Sequence, residues 1–199
     1  GRFESHIDAV YDVLNQLNGY PLSAPLWESE ILPSRITGYQ KFWLDEIFQE
    51  TDLKWQGSSS KKVILFFDAD RQLIFNDNKA GRIKQDQLMQ VFDQHKQIDF
   101  SHLMIETQLN AKDLSEKLWD NVWKGKLSNE GFQVLRKGIE TNFKISASGS
   151  SDNSNRKTRK SRRGASFSAW KNSRPDSGKW QLLANKEDSL DLIEVEEIK

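Results

Sequence analysis

The chain has no cysteine among its 199 residues. Disulfide bridges, thiolate metal sites and cysteine nucleophiles are therefore excluded, and a reducing compartment is compatible with the sequence. Histidine is almost as scarce, since His6, His95 and His102 are the three present. They form neither an HExxH pair nor another spacing typical of metal ligands, so we expect ordinary surface or partly buried roles for them.

Long apolar runs are also missing. No stretch approaches about 18 consecutive apolar residues, the length that spans a membrane, and no signal-peptide pattern occurs. The mean hydropathy of -0.73 lies on the polar side for a globular protein. We therefore expect a soluble, cytoplasmic protein. Because the chain begins at Gly1 rather than Met, we also expect a segment of something longer.

The sequence has no net charge, since 29 Lys and Arg balance 29 Asp and Glu. The whole chain thus has no electrostatic attraction for nucleic acids or anionic membranes. The charge is unevenly distributed, however, because residues 153–175 contain eight Lys or Arg and no Asp or Glu. We call residues 153–175 the basic segment. A block of one charge sign repels itself and buries little, so it favours a polyanionic partner, and phosphate is the leading candidate.

The candidate nucleic-acid-binding residues in and beside the basic segment combine cations with one aromatic ring. The cations offer phosphate contacts, and Trp170 offers a face on which an unpaired base can stack. If about six phosphates are neutralised, affinity for a single strand should fall by roughly the fourth power of the salt concentration. A solvated linker without a partner is the alternative interpretation. The charged candidates are Arg156, Lys157, Arg159, Lys160, Arg162, Arg163, Lys171, Arg174 and Lys179.

The regions on either side of the basic segment differ sharply in composition. Residues 146–155 consist almost entirely of Ser, Gly, Asn and Asp, which predicts a flexible linker over residues 145–177. A strand that includes Trp180 is predicted over residues 179–183. The tail from Glu187 to Glu197 is acidic.

In the first third of the chain, two stretches have apolar residues at helical spacing. A helix is predicted from Glu4 to Leu17, where a Gly-Tyr-Pro sequence then supplies the stop. Another is predicted over Tyr39–Glu50, with a broad apolar face. Prolines interrupt the region between them, so that a short helix is predicted only over Leu26–Ile31.

Strand patterns follow these helices. Leu53–Trp55 alternates, Gly57–Ser60 predicts a turn, and Val63–Phe67 is rich in β-branched and aromatic residues. We predict a short third strand at Leu73–Phe75, after the turn at Asp68–Asp70. Helices followed by a two-stranded ribbon are the order of a winged helix, a variant of the helix-turn-helix.

The same order of elements recurs in the second half. Helices are predicted near Ile83–His95, over Phe100–Ile105 and over Leu114–Trp123, followed by a short strand at Lys126–Leu127. Ser128 is expected to cap a further helix that runs through Ile139.

A weak similarity between residues 44–53 and 118–127 favours an internal duplication, although chance similarity stays an alternative. The predicted fold class is α+β, mainly α, with tandem winged-helix-like modules and short β-ribbons. A flexible basic linker and a C-terminal strand with an acidic tail complete it. The predicted divisions are residues 1–78, 79–144, 145–177 and 178–199.

Several short stretches between residues 27 and 183 carry a family resemblance. They are Trp27-Glu28, Ile31–Tyr39, Leu44-Asp45, Trp55–Gly57, Leu118–Asp120, Val122–Asn129, Phe132, Leu135, Arg136, Ser161–Gly164 and Gly178–Leu183. Taken together and in this order, they resemble the C-terminal, DEAD/H-associated region of Lhr-type large helicase-related superfamily 2 DNA helicases.

This resemblance implies a piece of a large DNA helicase or repair protein, built of tandem winged helices. It also implies two partners, namely DNA, in particular single-stranded DNA, and helicase motor domains in the same or a partner chain. Helicases of this type translocate 3′ to 5′ with ATP, and the C-terminal regions of some members are associated with uracil-DNA glycosylase activity.

The chain departs from the full family pattern because it has no GxxxxGK[ST] phosphate loop and no DExH-type acidic box. Without them it cannot hold ATP and magnesium as such motors do. We therefore expect no ATP hydrolysis by this segment and no cofactor or metal within it. ATP and magnesium are expected only at an upstream motor.

The helices Tyr39–Glu50 and Ala111–Trp123 occupy the place of recognition helices. Their outward faces hold as many acids as bases, which favours packing or protein contact over the reading of bases. Arg35 is the better single candidate for a contact to phosphate or to a buried carboxylate. The tryptophans other than Trp170 are expected in the core.

Two further functions stay open. A DNA glycosylase needs an acidic residue beside a pocket for an extruded base. Asp45, Asp68, Asp70 and Asp120 are available, but their spacing selects none of them, and so no catalytic residue is assigned. The other alternative is a protein-interaction module whose basic segment pairs with an acidic tail, including its own.

Overall fold

The computed structural model describes residues 6–75, 87–144 and 178–183. These residues form two successive modules, each with helices packed on a small three-stranded antiparallel sheet. The fold class is α+β and mainly α, which confirms the prediction. The predictions for the linker at 145–177 and for the acidic tail lie outside the described residues.

The first module begins with a helix and places its third strand in the middle of the sheet. The strand order is β1-β3-β2, and the 3-10 turn Ser59–Lys61 joins β2 to β3 as a short wing. Its elements are α1 (His6–Gln16), β1 (Pro21–Ser23), a π-helical turn (Trp27–Ile31) that continues into α2 (Leu32–Arg35), α3 (Lys41–Glu50), β2 (Leu53–Ser58), β3 (Lys62–Phe67) and α4 (Arg71–Ile74).

The second module repeats this topology, since its strand order is β4-β6-β5. Its last strand again lies in the middle, but the connection from β5 to β6 runs through residues 130–178 instead of a three-residue turn. We call residues 130–178 the wing insertion; it contains α8 and the basic segment. The elements are α5 (Gln87–Gln94), β4 (Gln97–Asp99), α6 (Phe100–Thr107), α7 (Ala111–Trp123), β5 (Leu127–Asn129), α8 (Gln133–Glu140) and β6 (Lys179–Leu182).

The similar sequences 44–53 and 118–127 occupy equivalent places in the two modules. The first lies in α3 and reaches β2, and the second lies in α7 and reaches β5. The weak sequence similarity therefore coincides with a repeat in topology.

Two predictions for the first module are wrong. Leu73–Phe75 is not a strand, because residues 71–74 form α4 and Leu73 is 86% exposed. The free edge of β3 is filled by β1, which pairs Pro21 with Ile64 and Ser23 with Lys62. Pro33 does not end the helical region either, because it lies in the first turn of α2, where a missing N–H is tolerated.

Ser128 does not cap a helix. It lies in β5, is fully buried, and donates its hydroxyl to the Trp55 carbonyl oxygen at 2.5 Å. Helix α8 begins later, at Gln133. The Ser-Asn-Glu sequence resembles a capping motif locally, but pairing of β5 with β6 decides its conformation.

One apolar core runs through both modules. Trp27 and Trp55 of the first module and Trp180 of the second are fully buried, as are Phe66 and Phe132. Trp119 is also buried, while Trp43 and Trp123 are only partly so. Within the described residues, no helix has the length and apolar character needed to cross a bilayer.

Candidate functional site

The face that α3 would present to a DNA groove is covered by α8 of the second module. Both carboxylate oxygens of Asp45 accept hydrogen bonds from Nη1 of Arg136, each at 2.8 Å. The ring of Phe48 packs on that of Phe132 with centroids 6.1 Å apart. Arg136 also donates through Nη2 to the Lys41 carbonyl oxygen at 3.0 Å. Helix α3 is therefore engaged within the protein.

Arg136 connects the modules through a second carboxylate as well. Its Nε and Nη2 each donate to one oxygen of Glu28 at 2.7 Å, and the Tyr39 hydroxyl donates to the same carboxylate at 3.1 Å. The side chains of Arg136, Glu28 and Asp45 are 15%, 9% and 18% exposed. We call Arg136, Glu28, Asp45 and Tyr39 the arginine network.

Electrostatics keeps the arginine network in one protonation state. Burial opposes the charge on Arg136, but hydrogen bonds to Glu28 and Asp45 outweigh it and raise the pKa of Arg136 above its ordinary value. Burial, followed by the charge of Glu28, raises the pKa of the Tyr39 hydroxyl. The guanidinium thus stays charged and the phenol stays a donor, as expected of a rigid structural contact.

Sequence reasoning missed the arginine network as a site. Glu28 and Arg136 were visible only as anchors of the family resemblance, and no spacing along the chain connects residues 108 positions apart. The expectation of a buried carboxylate contact fell on Arg35, which is exposed and donates to the Ile31 carbonyl oxygen at 3.4 Å.

The C-terminal end of α7 packs on β2 of the first module. A Cβ atom at Gly57 would lie 2.5 Å from the Val122 carbonyl oxygen, and one at Gly125 would lie 2.8 Å from Nε2 of Gln56. The indole of Trp55 donates to the Gly131 carbonyl oxygen at 3.2 Å. The outward side of α7 remains exposed and mixed in charge, as predicted, with Lys112, Asp113, Glu116 and Asp120.

The four aspartates considered for water activation all have partners. Asp45 is held by Arg136, and Asp68 forms an ion pair with Lys54 at 3.0 Å. Asp70 accepts from Nδ2 of Asn18 at 2.6 Å, and Asp120 pairs with Lys124. None of these four therefore faces a substrate as an unpaired base.

A cavity of about 440 Å³ lies at the junction of the modules. Its size suits one small ligand, such as a nucleoside. Phe48 and Val134 supply apolar surface, and most other lining side chains are polar. The lining comprises Asp45, Phe48, Gln49, Asn129, Glu130, Gly131, Gln133, Val134 and Gly178. The described part of the chain contains no group of three or more His, Asp or Glu arranged to hold a metal ion.

Of the predicted nucleic-acid-binding residues, the structure describes Arg35 and Lys179. Lys179 is exposed at the start of β6, where its backbone lies opposite Asp99 of β4 in the strand register. Its carbonyl oxygen accepts a hydrogen bond from the Glu130 N–H at 3.0 Å. Arg35 lies in the first module and Lys179 in the second. The candidates in the basic segment, including Trp170, lie outside the described residues.

The described residues that flank the basic segment both contact Trp119. Phe143, which follows α8, packs edge-on against Trp119 with centroids 4.8 Å apart, and Trp180 of β6 does so at 5.7 Å. Gly138 makes room for Phe143, because a Cβ atom there would lie 2.5 Å from its ring. The described residues on both sides of 145–177 are therefore held at the same tryptophan.

Comparison with known proteins shows what this chain is similar to. Residues 2–73 match the family model described as the winged-helix domain of large helicase-related protein. The sequence is 28% identical to an Escherichia coli (strain K12) protein named Lhr helicase/uracil glycosylase in an alignment 147 residues long. That alignment covers 65% of this chain. The match spans 9% of that protein's length. The first module is thus similar to the winged-helix domain of large helicase-related protein, and the resemblance of the chain to the C-terminal region of Lhr-type helicases is confirmed.

Proposed function

We propose that this chain is the DNA-engaging C-terminal segment of an Lhr-like ATP-dependent DNA helicase, acting in repair or recombination. It binds DNA, primarily single-stranded, and motor domains in the same or a partner chain supply ATP hydrolysis. The relative's name includes helicase, and this chain carries no phosphate loop of its own. Its contribution is therefore strand engagement.

The attachment of the basic segment is the observation that carries this proposal. In the sequence its eight cations fall between β5 and β6 of the second module, and Phe143 and Trp180 attach the flanking residues to Trp119. A segment attached at both ends has fewer arrangements than one attached at a single end. It therefore loses less conformational entropy when it engages a strand.

The state of the two recognition helices supports sequence-tolerant binding. Helix α3 is occupied by the arginine network, and α7 carries three acids against two lysines. Lysine, arginine and tryptophan in the basic segment can contact phosphates and stack on bases without distinguishing one base from another.

Fluorescence anisotropy with labelled single-stranded DNA across a salt series tests the proposal. We expect the basic segment to contribute a fall in affinity with roughly the fourth power of salt concentration, so that replacing its eight Lys and Arg by Gln weakens binding and lowers the salt slope by about 4. A variant with Thr158→Ala and Ser161→Ala alters the same segment without changing its charge and should bind like wild type. Absence of binding at low salt would contradict the proposal.

Uracil-DNA glycosylase activity is a second candidate, favoured by the cavity at the module junction and by the similarity to the Escherichia coli Lhr helicase/uracil glycosylase. The cavity can accept an extruded base, and Glu130 is its exposed carboxylate. Uracil-containing DNA incubated with the protein and then with alkali should be cleaved, and Glu130→Gln should abolish cleavage. An uncleaved strand at enzyme excess would count against this activity.

A further inference from the structure

The wing of the first module touches the C-terminal ends of both α7 and α8. The Lys61 ammonium donates to Oδ1 of Asn142 at 3.0 Å and lies 5.0 Å from the centre of the Phe143 ring. That ring in turn packs edge-on against Trp123, with centroids 4.9 Å apart. The wing of the first module and the C-terminal ends of α7 and α8 therefore meet on one surface.

Five further lysines lie close along the chain to these contact residues, within three positions of Lys61, Trp123 or Phe143 or in the last turn of α8. Lys124 and Lys137 pair with Asp120 and Glu140 respectively. No ion pair joins the other four lysines to a carboxylate of residues 6–75, 87–144 or 178–183. We call the six residues the lysine cluster: Lys61, Lys62, Lys124, Lys126, Lys137 and Lys144.

The lysine cluster contrasts with the remainder of the described chain, which is acidic. The described ranges contain 15 Lys and Arg against 18 Asp and Glu, and the cluster holds six of these bases beside only two of the acids. The positive potential of the folded part is therefore concentrated here. Along the sequence, Lys144 directly precedes the predicted linker that contains the basic segment.

Compensation of helix dipoles explains only part of the cluster. A helix C-terminus carries about half a unit of negative charge, which a single lysine such as Lys144 already offsets. The wing brings Lys61 to the same place, and Lys62 follows it at the start of β3, although neither belongs to α7 or α8. Gathering like charges costs energy unless an anion joins them.

We propose that the lysine cluster binds the phosphodiester backbone of the nucleic-acid strand that the basic segment engages, so that the strand continues across the first wing. Lysine acts as a point charge toward phosphate and does not distinguish bases, so the contact adds affinity without sequence preference. The inference rests on the proposed DNA-binding function and adds a second, folded contact surface to it.

A charge-matched pair of variants tests this inference in the full chain. The cluster variant carries Lys61→Gln, Lys62→Gln, Lys124→Gln and Lys144→Gln. The control carries Lys41→Gln, Lys54→Gln, Lys96→Gln and Lys112→Gln, which remove the same charge from elsewhere in the two modules. With labelled oligothymidine, we expect the cluster variant to lower the salt slope by about 3 and to bind roughly 100-fold more weakly at low salt. The control variant should keep the wild-type slope.

The outcomes separate this inference from the proposed function. If wild type fails to bind, the proposed function fails. If wild type binds through the basic segment but the cluster and control variants behave alike, the lysine cluster is not a contact surface. Should the cluster variant unfold, Lys62→Gln with Lys144→Gln is the second test and should lower the slope by about 1.4. Replacement of the four cluster lysines by Arg should restore binding.

Discussion

The two modules share one strand order but differ in how the last two strands are joined. In the first, the turn Ser59–Lys61 closes the hairpin, whereas the wing insertion at residues 130–178 joins the same strands in the second. Helix α8 of that insertion covers α3 of the first module through Arg136. The first module thus provides the surface on which α8 packs, and the second module contains the wing insertion.

Charge follows the same division. The described residues of the first module include ten acids and six Lys or Arg, whereas those of the second include eight acids and nine Lys or Arg. The basic segment adds eight further cations to the second module. Because a polyanion is drawn to local positive potential, a shared fold does not imply a shared role.

Removal of Arg136 should have the largest effect on this arrangement. Arg136→Ala leaves Glu28 and Asp45 as uncompensated, largely buried charges, and should lower the free energy of unfolding by about 3–5 kcal/mol. Denaturant unfolding followed by circular dichroism measures it. Arg35→Ala, at an exposed position, should change stability by less than about 0.5 kcal/mol. Equal losses in the two variants would refute a connecting role for Arg136.

Adding a methyl group at the contact between β2 and α7 should have the next largest effect. Gly57→Ala places a methyl group 2.5 Å from the Val122 carbonyl oxygen, so α7 must move away from β2. We expect a loss of about 1–3 kcal/mol in unfolding free energy. Gly131→Ala is the matched control, because no atom lies within 4 Å of its added Cβ. A stable Gly57→Ala protein would show that the modules are not tightly packed there.

Loosening the attachment of the wing insertion should affect binding more than stability. Phe143→Ala removes the edge-on contacts to Trp119 and Trp123 without changing any charge. If attachment at both ends lowers the entropy cost of binding by about 1 kcal/mol, affinity for single-stranded DNA should fall roughly 5-fold with an unchanged salt slope. Anisotropy at several salt concentrations distinguishes this from a loss of phosphate contacts, which would also lower the slope.

The smallest expected effect concerns the acidic tail. If Glu187–Lys199 competes with DNA for the basic segment, its deletion should tighten DNA binding by a few-fold, most clearly at low salt. Anisotropy with the truncated chain measures this change. Unaltered affinity would exclude competition by the tail and weaken the alternative of a protein-interaction module.

Sequence periodicity predicted the helices α1, α3, α6 and α7 and the strands β2, β3 and β6, because each has a local pattern of apolar residues. It did not predict β1 or β4, which are three residues long and carry no such pattern. Strand β1 forms only by pairing with β3, and β4 by pairing with β6, which lies about 80 positions later. Short strands of this kind are set by their partners.

The candidate site shows the same limit. The basic segment is visible in composition alone, since charge is counted residue by residue. The role of Arg136 cannot be recognised from composition, because its partners Asp45 and Glu28 lie 91 and 108 positions away in the sequence. The lysine cluster likewise combines residues of a wing with the ends of two helices, and each part by itself is an ordinary lysine.

By itself, the sequence determined the winged-helix class, the repeated order of elements, the family resemblance and the separation of charge. These properties depend on local periodicity and composition. The tertiary structure decided that β6 enters between β4 and β5, that Phe143 and Trp180 meet at Trp119, and that α8 covers α3. Those features arise from strand pairing, aromatic packing and buried ion pairs between distant residues, which no local pattern encodes.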